Sequence, residues 1–480
     1  MTARPSVHSV AVIGGGLSGA LFGLKLAAAR PDFRVTVIEA TRRIGRGLAY
    51  GACTPQHLLN VPISRMEVGL KPGFADWLQA NPAAQDALAT GLAESDGDLP
   101  GVFVPRALFG AYLEERLEAA LVTGDGPGLT LVRGEAVRVL ARPDRAVRLS
   151  DGREIRADTV VLATGNLAPR APGGPDQWFY DTPGFVPDPW APDAFEGLGQ
   201  EDSLLLLGTG LTTVDIVLKL TASGHRGAIL ATSRRGLLPQ VHAAGGAWPA
   251  FLEAAMPASP RRLMRLIREQ VAAATAQGIP WQRVFDAARP AVPAVWSGWS
   301  TREKRQFLRH LRTRWDVHRH RMARRIHDAL HAETARGRLE ILPARLRAYR
   351  PARDKVEAIL ATRTGDERRF TAARVVNCTG PRRDAGAIAI PLLADLRDQG
   401  LALPDALGLG LETENCALLD IDRRESTWLF ALGALTCPQW WEITAVPEIA
   451  VQVDRLVGQL ANPAAAHLSA GDFLDLGAGI

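Results

Sequence analysis

The chain is short of cysteine, short of lysine and without a long apolar run, and each shortage narrows what it can be. Its four cysteines, Cys53, Cys378, Cys416 and Cys437, are scattered over 480 residues with no CxxC pair and no histidine clustering. A disulfide framework and a structural zinc site are therefore not expected, and no metal is assigned. No run of about 18 apolar residues occurs, which argues against a membrane span. The opening MTARPSVHSV has neither a charged-then-apolar leader nor a small-residue cleavage site, so a cytoplasmic location is expected. Only five of the 56 basic residues are lysine. Arginine suits bidentate contacts to carboxylate and phosphate. The net charge of +5 is too small for its length to signal a polyanion partner, and no nucleic-acid module accompanies it.

What is present is apolar content of 47%, enough in a chain this long for two or three packed domains. Residues 7–13 form a β-branched strand that runs into Gly14-x-Gly16-x-x-Gly19. Ala20, Leu21, Leu24 and Ala28 then recur at helical spacing, and a second strand, VTVIE, ends at Glu39. That order is what a dinucleotide-binding βαβ unit requires. Gly14 permits the tight turn, Gly16 admits a pyrophosphate to the backbone, and Gly19 lets helix meet strand. The helix N-terminus neutralises pyrophosphate charge, and Glu39 is placed for ribose hydroxyls.

The segment GRGLAYGACTPQHLLNVPISRM follows, where a plain NAD dehydrogenase would continue with a helix. Its glycines, with His57 and Asn60 in a partly apolar run, suit the lining of a larger cofactor. Two later strands, VVLATGN and VVNCTGP, end in Thr-Gly turns at Thr164-Gly165 and Thr379-Gly380, where backbone can pass close to a ligand or a neighbouring domain.

A second glycine turn follows the apolar strand at residues 203–207. Gly208 and Gly210 take the turn positions, and Thr213 stands where glycine or alanine is usual. The next strand, AILATS, ends at Ser233 with no acid, and Arg234 and Arg235 come directly after it. Guanidinium groups in place of a carboxylate suit a 2′-phosphate, which favours NADPH over NADH. A solvated basic turn is the plainer alternative.

Residues 166–199 hold seven prolines and read as an interdomain connection. SPRRLMRLIREQV opens with Ser259 as a cap and Pro260 in the first turn, and Leu263, Leu266, Ile267 and Val271 form its buried stripe. STREKRQFLRHLRTRW opens with a Ser300/Glu303 capping box and carries Phe307, Leu308, Leu311 and Trp315 on one face. Together they form a helical insertion at about 250–332. In the following DVHRHRMARR, His318 and His320 are two apart and cannot share a metal on a helix. Arg319 and Arg321 are candidates for an anionic substrate or the nicotinamide cofactor's phosphate, with a solvated basic face as the alternative.

GRGLAYG with PQHLLNV, the VPR of residues 104–106, ATGN, SRRGLLPQVH, FLRHLRTRWDVHRHR and WEITAVPEI together resemble the bacterial NAD(P)/FAD-binding oxidoreductases of the YdhS-like type, from about residue 8 to about 457. The resemblance implies an α/β, two-dinucleotide-binding-domain flavoprotein. Its Rossmann-like FAD domain is discontinuous, residues 1–190 and 375–480, and its NADPH domain is inserted at 195–374. FAD is then expected on Gly14, Gly16, Leu17, Ser18, Gly19, Glu39, His57, Leu58, Asn60, Val61, Arg106, Val137, Thr164, Gly165, Gly380, Gly433 and Trp441. NADPH is expected on Gly208, Gly210, Thr213, Arg234 and Arg235.

Relatives of that type include flavin monooxygenases that N-hydroxylate amino acids, some of which oxidise aspartate to nitrosuccinate. The implied activity is FAD-dependent and NADPH-consuming: one oxygen atom of O₂ passes through a flavin hydroperoxide to a small nucleophilic substrate, an amine or amino acid. The flavin carries the chemistry, so catalytic side chains stay unassigned apart from the candidates Trp441 and Glu442. In CPQWWEITAVPEI, Pro447 suits a first helical turn, and Ile449, Val453, Leu456, Val457 and Leu460 form a buried stripe. That helix start would face the flavin, Trp440 and Trp441 would wall its ring, and Glu442 would hold the turn or meet the substrate. Ordinary core packing is the alternative for the tryptophans.

Two departures matter. DQWFYDTPGFVPDPW lacks the histidine of the phenylalanine–glycine–histidine fingerprint seen in flavin-containing and Baeyer–Villiger monooxygenases. Cys53 stands alone where dithiol flavin reductases carry two cysteines. An NADPH-dependent flavin reductase or dehydrogenase without oxygen insertion, and a flavin-binding sensor, remain the other readings.

Overall fold

The protein is represented by a computed structural model that describes residues 7–124, 126–173, 176–252, 259–385 and 390–462. Both ends of the expected FAD domain, and residues 253–258 of the expected insertion, lie outside the described residues. Among the described residues, no helix is long and apolar enough to cross a membrane.

Ser9–Ile13 is buried along nearly its whole length, as a strand covered on both faces must be. It lies between Arg34–Glu39 and Thr159–Leu162, parallel to both. Gly128–Arg133 extends that sheet on one side, and Glu425–Ala431 on the other, again in parallel. Two short antiparallel strands, Ala417–Leu419 and Thr413–Glu414, complete the seven.

The second seven-stranded sheet repeats the plan. Leu204–Leu207 lies between Ile229–Ser233 and Arg374–Asn377, parallel to both. Leu339–Ala352 adds in parallel, and Lys355–Thr362 and Glu367–Ala372 add antiparallel strands beyond it. Parallel neighbours need crossovers, and the helices Leu17–Ala29 and Leu211–Ala222 supply them after the two glycine turns.

The domain limits differ from the expected ones. Phe185–Val186 pairs with Arg374–Asn377 at the edge of the second sheet. The second unit therefore takes in a strand before residue 190 and keeps the chain through residue 377. Its insertion is also shorter. Arg324–Ala335 buries Ile326 and Leu330 with Val214 and Val217, so it is the crossover helix of the second unit.

The insertion itself is helical: Pro260–Ala276, Trp281–Ala288, Val292–Ser297, Thr301–His310 and Arg312–Arg319. Its starts follow local chemistry. The Ser259 hydroxyl accepts from the Arg262 N–H at 3.3 Å, and Ser300 and Glu303 form a reciprocal capping box. Leu263 and Ile267 are buried in one cluster with Phe285, Trp296, Phe307 and Trp315, and that cluster also contains Trp441, Ile449, Phe22 and Tyr112. The insertion belongs to the second unit by chain, but it packs on the first.

Candidate functional site

Both glycine turns are set by close backbone approach. Gly14 has φ +103°, and a Cβ there would lie 2.3 Å from the Ala163 carbonyl oxygen. Gly208 has φ +125°, and a Cβ there would lie 2.3 Å from the Cys378 carbonyl oxygen. Each first glycine is thus dictated by the strand end that leads into a Thr-Gly turn. The third positions diverge. A Cβ on Gly19 would sit 1.9 Å from the Gly14 oxygen, whereas the Thr213 hydroxyl donates to the Gly208 oxygen at 2.8 Å. Threonine replaces a close contact with a hydrogen bond. At the middle positions, Gly16 faces the Cα of Gly47 at 3.4 Å, and Gly210 has open space. These are cradles that a side chain would fill.

The rest of the first unit fits a dinucleotide. Glu39 is buried at its strand end and accepts from the Gly15 and Thr41 N–H groups, both at 2.7 Å. Thr164 Oγ1 is buried with no hydrogen-bond partner, so the strand end beside Gly14 keeps a free polar atom. Gly165 and Gly380 have left-handed φ with open space at Cβ. Val137 falls at a register shift in the Ala136–Leu140 strand, which takes its backbone out of the ladder. Leu17 is half-buried against the first core, and Leu58 is buried in the core of the second unit.

Gly433 closes the cradle. A Cβ there would meet Ser18 Oγ at 2.8 Å, and its N–H donates to Gln452 Oε1 at 2.8 Å. Gln452 then donates to Thr436 Oγ1 at 2.7 Å. Fully buried on the helix Val446–Ala461, this glutamine ties that helix to the first glycine turn. Its polarity inside an otherwise apolar helical stripe was the available sequence signal.

His57 and Arg106, expected on the cofactor, link the two units through Asp215, and Arg106 also lines the cavity between them. His57 is fully buried; its Nδ1 accepts from the Thr54 N–H at 3.1 Å, and its Nε2 donates to the Asp215 carbonyl at 2.8 Å. Burial lowers its pKa and keeps it neutral. Arg106 Nη2 lies 2.6 Å from the Asp215 carboxylate, on the second nucleotide helix. Its Nε is buried without a partner. Arg106 thus pairs with the Asp215 carboxylate and His57 with the backbone carbonyl of that residue, which the sequence did not single out.

In the second unit, Thr209 Oγ1 bridges to Ser233 Oγ at 2.8 Å and donates to the Leu237 carbonyl at 2.7 Å. The glycine turn and the arginine loop are thereby held side by side. Arg234 is exposed beside them. Arg235 is partly engaged, with Nη2 donating to the His310 carbonyl at 3.2 Å in the insertion.

Trp440 and Trp441 were expected to wall the flavin ring and Glu442 to hold the turn or meet the substrate; none of the three lines the cavity between the two units. Trp441 is 4% exposed, stacks on Trp296 at 4.5 Å and meets Phe307 edge-on at 5.6 Å. Its ring is packed against the apolar side chains of the insertion. Trp440 is buried too, with the Arg455 guanidinium 5.7 Å from its ring. Glu442, at φ +74°, accepts from Trp315 Nε1 and from Arg319 Nε at 2.8 Å. Arg319 also reaches Glu448 at 2.9 Å, and Arg289 holds Glu448 from the other side at 2.6 Å. Arg319 is therefore neutralised in a closed network and is not free for a substrate.

The residues just beyond Glu442 do reach a cavity. Thr444, Ala445 and Val446 line a space of about 140 Å³ with Tyr50, Asn60, Val61 and Arg106 of the first unit and Leu211, Val214 and Asp215 of the second. Arg321 turns the other way, into a polar cavity of about 840 Å³ with Arg65, Arg283, Asp286 and His242.

Comparison with known proteins agrees with this architecture. The family model described as FAD-NAD(P)-binding matches residues 11–167. No curated protein matches the chain. Among solved structures, it is similar to the ornithine N-hydroxylase of Kutzneria sp. 744, solved with reduced FAD, NADP⁺ and L-ornithine: TM-score 0.64, 15% identity, covering 96% of this chain and 100% of that one. It is also similar to the cadaverine monooxygenase of Erwinia amylovora bound to FAD, at TM-score 0.62 and 13% identity over 97% and 98% of the two chains. L-lysine 6-monooxygenase from Pseudomonas syringae gives TM-score 0.60 and 17% identity over 95% and 99%. The fold is that of a flavoprotein with two dinucleotide-binding domains.

Proposed function

We propose that the protein is an FAD-dependent, NADPH-consuming monooxygenase that hydroxylates the nitrogen of a small amine or amino acid. The observation that carries this reading is a cavity of about 140 Å³ lined by both nucleotide units. Leu211 is the first residue of the helix after the second glycine turn, and it lines the same space as Tyr50, Asn60 and Val61 of the first unit. A nicotinamide donor on one unit and a flavin on the other would thus serve one site. The solved structures that share the fold include enzymes described as acting on ornithine, lysine and cadaverine, which supports a nitrogen nucleophile.

FAD, when bound, supplies electron transfer and oxygen activation. Gly14, Gly16, Gly19, Glu39, Thr164 and Gly433 would hold it. Arg234 would hold the 2′-phosphate of NADPH, with Arg235 in support. Val446 begins a helix whose positive end lies on the shared cavity and favours negative charge there. The insertion packs on the first unit through Phe285, Trp296 and Trp441 and keeps water from that side. Asn60 is the exposed amide of the lining, placed to orient a substrate nitrogen.

The test is to purify the FAD-loaded protein and follow NADPH oxidation and peroxide release against a panel of amines and amino acids. A substrate should speed oxidation and suppress peroxide together. If every compound that speeds oxidation leaves peroxide release unchanged, the monooxygenase reading fails.

A further inference from the structure

Leu263 and Ile267 are buried on the helix Pro260–Ala276, whereas Met264 and Val271 beside them are half-buried and line a cavity of about 480 Å³. Trp281, Phe285, Phe307 and Trp315 supply aromatic wall. The His318 ring adds to it, stacked on Phe285 at 5.4 Å and edge-on to Trp281 at 4.9 Å. Its Nδ1 donates to the Arg314 carbonyl at 2.7 Å. Among the described residues, this space shares no lining side chain with the cavity beside Asn60. Protein interiors are packed with few voids, and apolar walls offer water few partners. A cavity of this volume is of the size that holds a small molecule.

The polar part of the lining has one sign. Arg268 stands one helical turn from both Met264 and Val271, and Arg314 one turn from His318; both guanidinium side chains are exposed. Among the described residues, no acid lines the cavity and neither arginine has an ion pair. Asp316, the acid nearest in sequence to Arg314, lies 3.3 Å from Arg312 instead. Guanidinium groups at the edge of an apolar wall suit a carboxylate on an apolar body. A cationic amine would meet two like charges there.

One side of the cavity belongs to the second nucleotide unit. Leu237 and Gln240 line it just past Arg234 and Arg235. The Leu237 carbonyl accepts from Thr209 Oγ1 of the second glycine turn at 2.7 Å, and the Gln240 N–H donates to the Val317 carbonyl at 2.8 Å. Arg235 reaches the carbonyl of His310, the residue before Leu311 of the lining. An occupant packed between Leu237 and the helix Arg312–Arg319 would therefore brace the arginine loop against the glycine turn.

We propose that this cavity is an effector site for a small monocarboxylate with an apolar body, its carboxylate seated on Arg268 and Arg314, and that filling it tightens NADPH at the second glycine turn. The ligand is held apart from the reaction site and is not the substrate. The coupling rests on NADPH binding beside Arg234; it is independent of oxygen insertion.

The test is calorimetric titration of the oxidised, FAD-loaded protein with hexanoate, octanoate, decanoate, phenylacetate and indoleacetate, each beside its primary amide. At least one carboxylate should bind, with its amide about tenfold weaker, as for loss of a charge-assisted hydrogen bond. Arg268 and Arg314 are exposed, so Arg268→Gln and Arg314→Gln should fold, and each should weaken the acid about tenfold while sparing the amide. Val271→Phe fills the cavity and should abolish binding of both, whereas Asn60→Ala, beside the other cavity, should change neither. A saturating carboxylate should tighten NADP⁺ about fivefold, and NADP⁺ should tighten the carboxylate by the same factor. No carboxylate binding, an amide as tight as its acid, binding that survives Val271→Phe, or NADP⁺ affinity unchanged by the carboxylate would each overturn the proposal. If NADP⁺ binds under neither condition, the nucleotide assignment fails, and the titration without nucleotide still decides the carboxylate site.

Discussion

Arg106 of the first nucleotide unit meets Asp215 of the second at 2.6 Å, while His57 donates to the backbone carbonyl of the same aspartate. Asp215 is 7% exposed. Arg106→Ala leaves that carboxylate buried and unpaired, which should cost about 3 kcal/mol in urea unfolding. Asp215→Asn keeps a hydrogen-bonding group of the same shape and should cost less. Equal losses would show that the charge pair contributes nothing beyond packing.

The two glycine turns should respond differently to a methyl group. In Gly19→Ala, the new Cβ meets the Gly14 oxygen at 1.9 Å, so the turn must move and the purified protein should lose its flavin. Thr213→Ala removes one hydrogen bond, worth about 1 kcal/mol. Its NADPH KM should stay within about fivefold of the parent. Flavin content and KM are the readouts, and a Gly19→Ala protein that retains full flavin would contradict the packing argument.

Arg234 is the exposed guanidinium beside the second glycine turn, whereas Arg235 already donates to His310. Arg234→Ala should raise the KM for NADPH by about ten- to a hundredfold and leave NADH nearly unchanged, since hydrogen bonds to charged groups contribute roughly 1.5–3 kcal/mol. Arg235→Ala should have a smaller effect of the same sign. Equal effects on both nucleotides would remove the 2′-phosphate assignment.

Much of this was readable locally. The glycine turns, the Ser300/Glu303 box and the Ser259 cap depend on residues a few positions apart, and the structure has them where the spacing put them. The contacts across the seam were not readable. His57 and Arg106 looked like cofactor ligands because polarity near a glycine turn carries no sign of its partner, and Asp215 lies 109 positions from Arg106. Trp441 met the same limit. A large aromatic near a helix start can wall a cofactor or fill a core, and only the placement of Trp296 against it decides. Arg319 and Arg321 are two apart, yet one is neutralised by Glu442 and Glu448 and the other shares Asp286 with two more arginines.

Stability should fall as the solution is acidified below neutrality. Burial, with Arg319 beside it, pushes His320 down to about 4 from 6.5, and burial with Arg321 does the same to His242. The unfolded chain takes up protons near pH 6.5 that the folded chain refuses until about 4. Their stabilising contribution is complete above 6.5 and is lost as pH falls through that window, at about 3 kcal/mol for each. Asp286 and Glu448 have lowered pKa values, so they add a further loss at more acid pH as they protonate. Urea unfolding at pH 7 and pH 5 should show the drop, and His320→Gln should reduce it. A profile flat between those values would contradict the assignment of two neutral, half-buried histidines.

The most direct measurement of the central claim is the fate of oxygen when the FAD-loaded protein turns over its substrate with NADPH under heavy-isotope O₂. A monooxygenase predicts a product that carries one labelled oxygen on nitrogen, and no such product when oxygen is removed. The same product with and without oxygen, or a product without label, would contradict the account and leave a flavin reductase or dehydrogenase in its place.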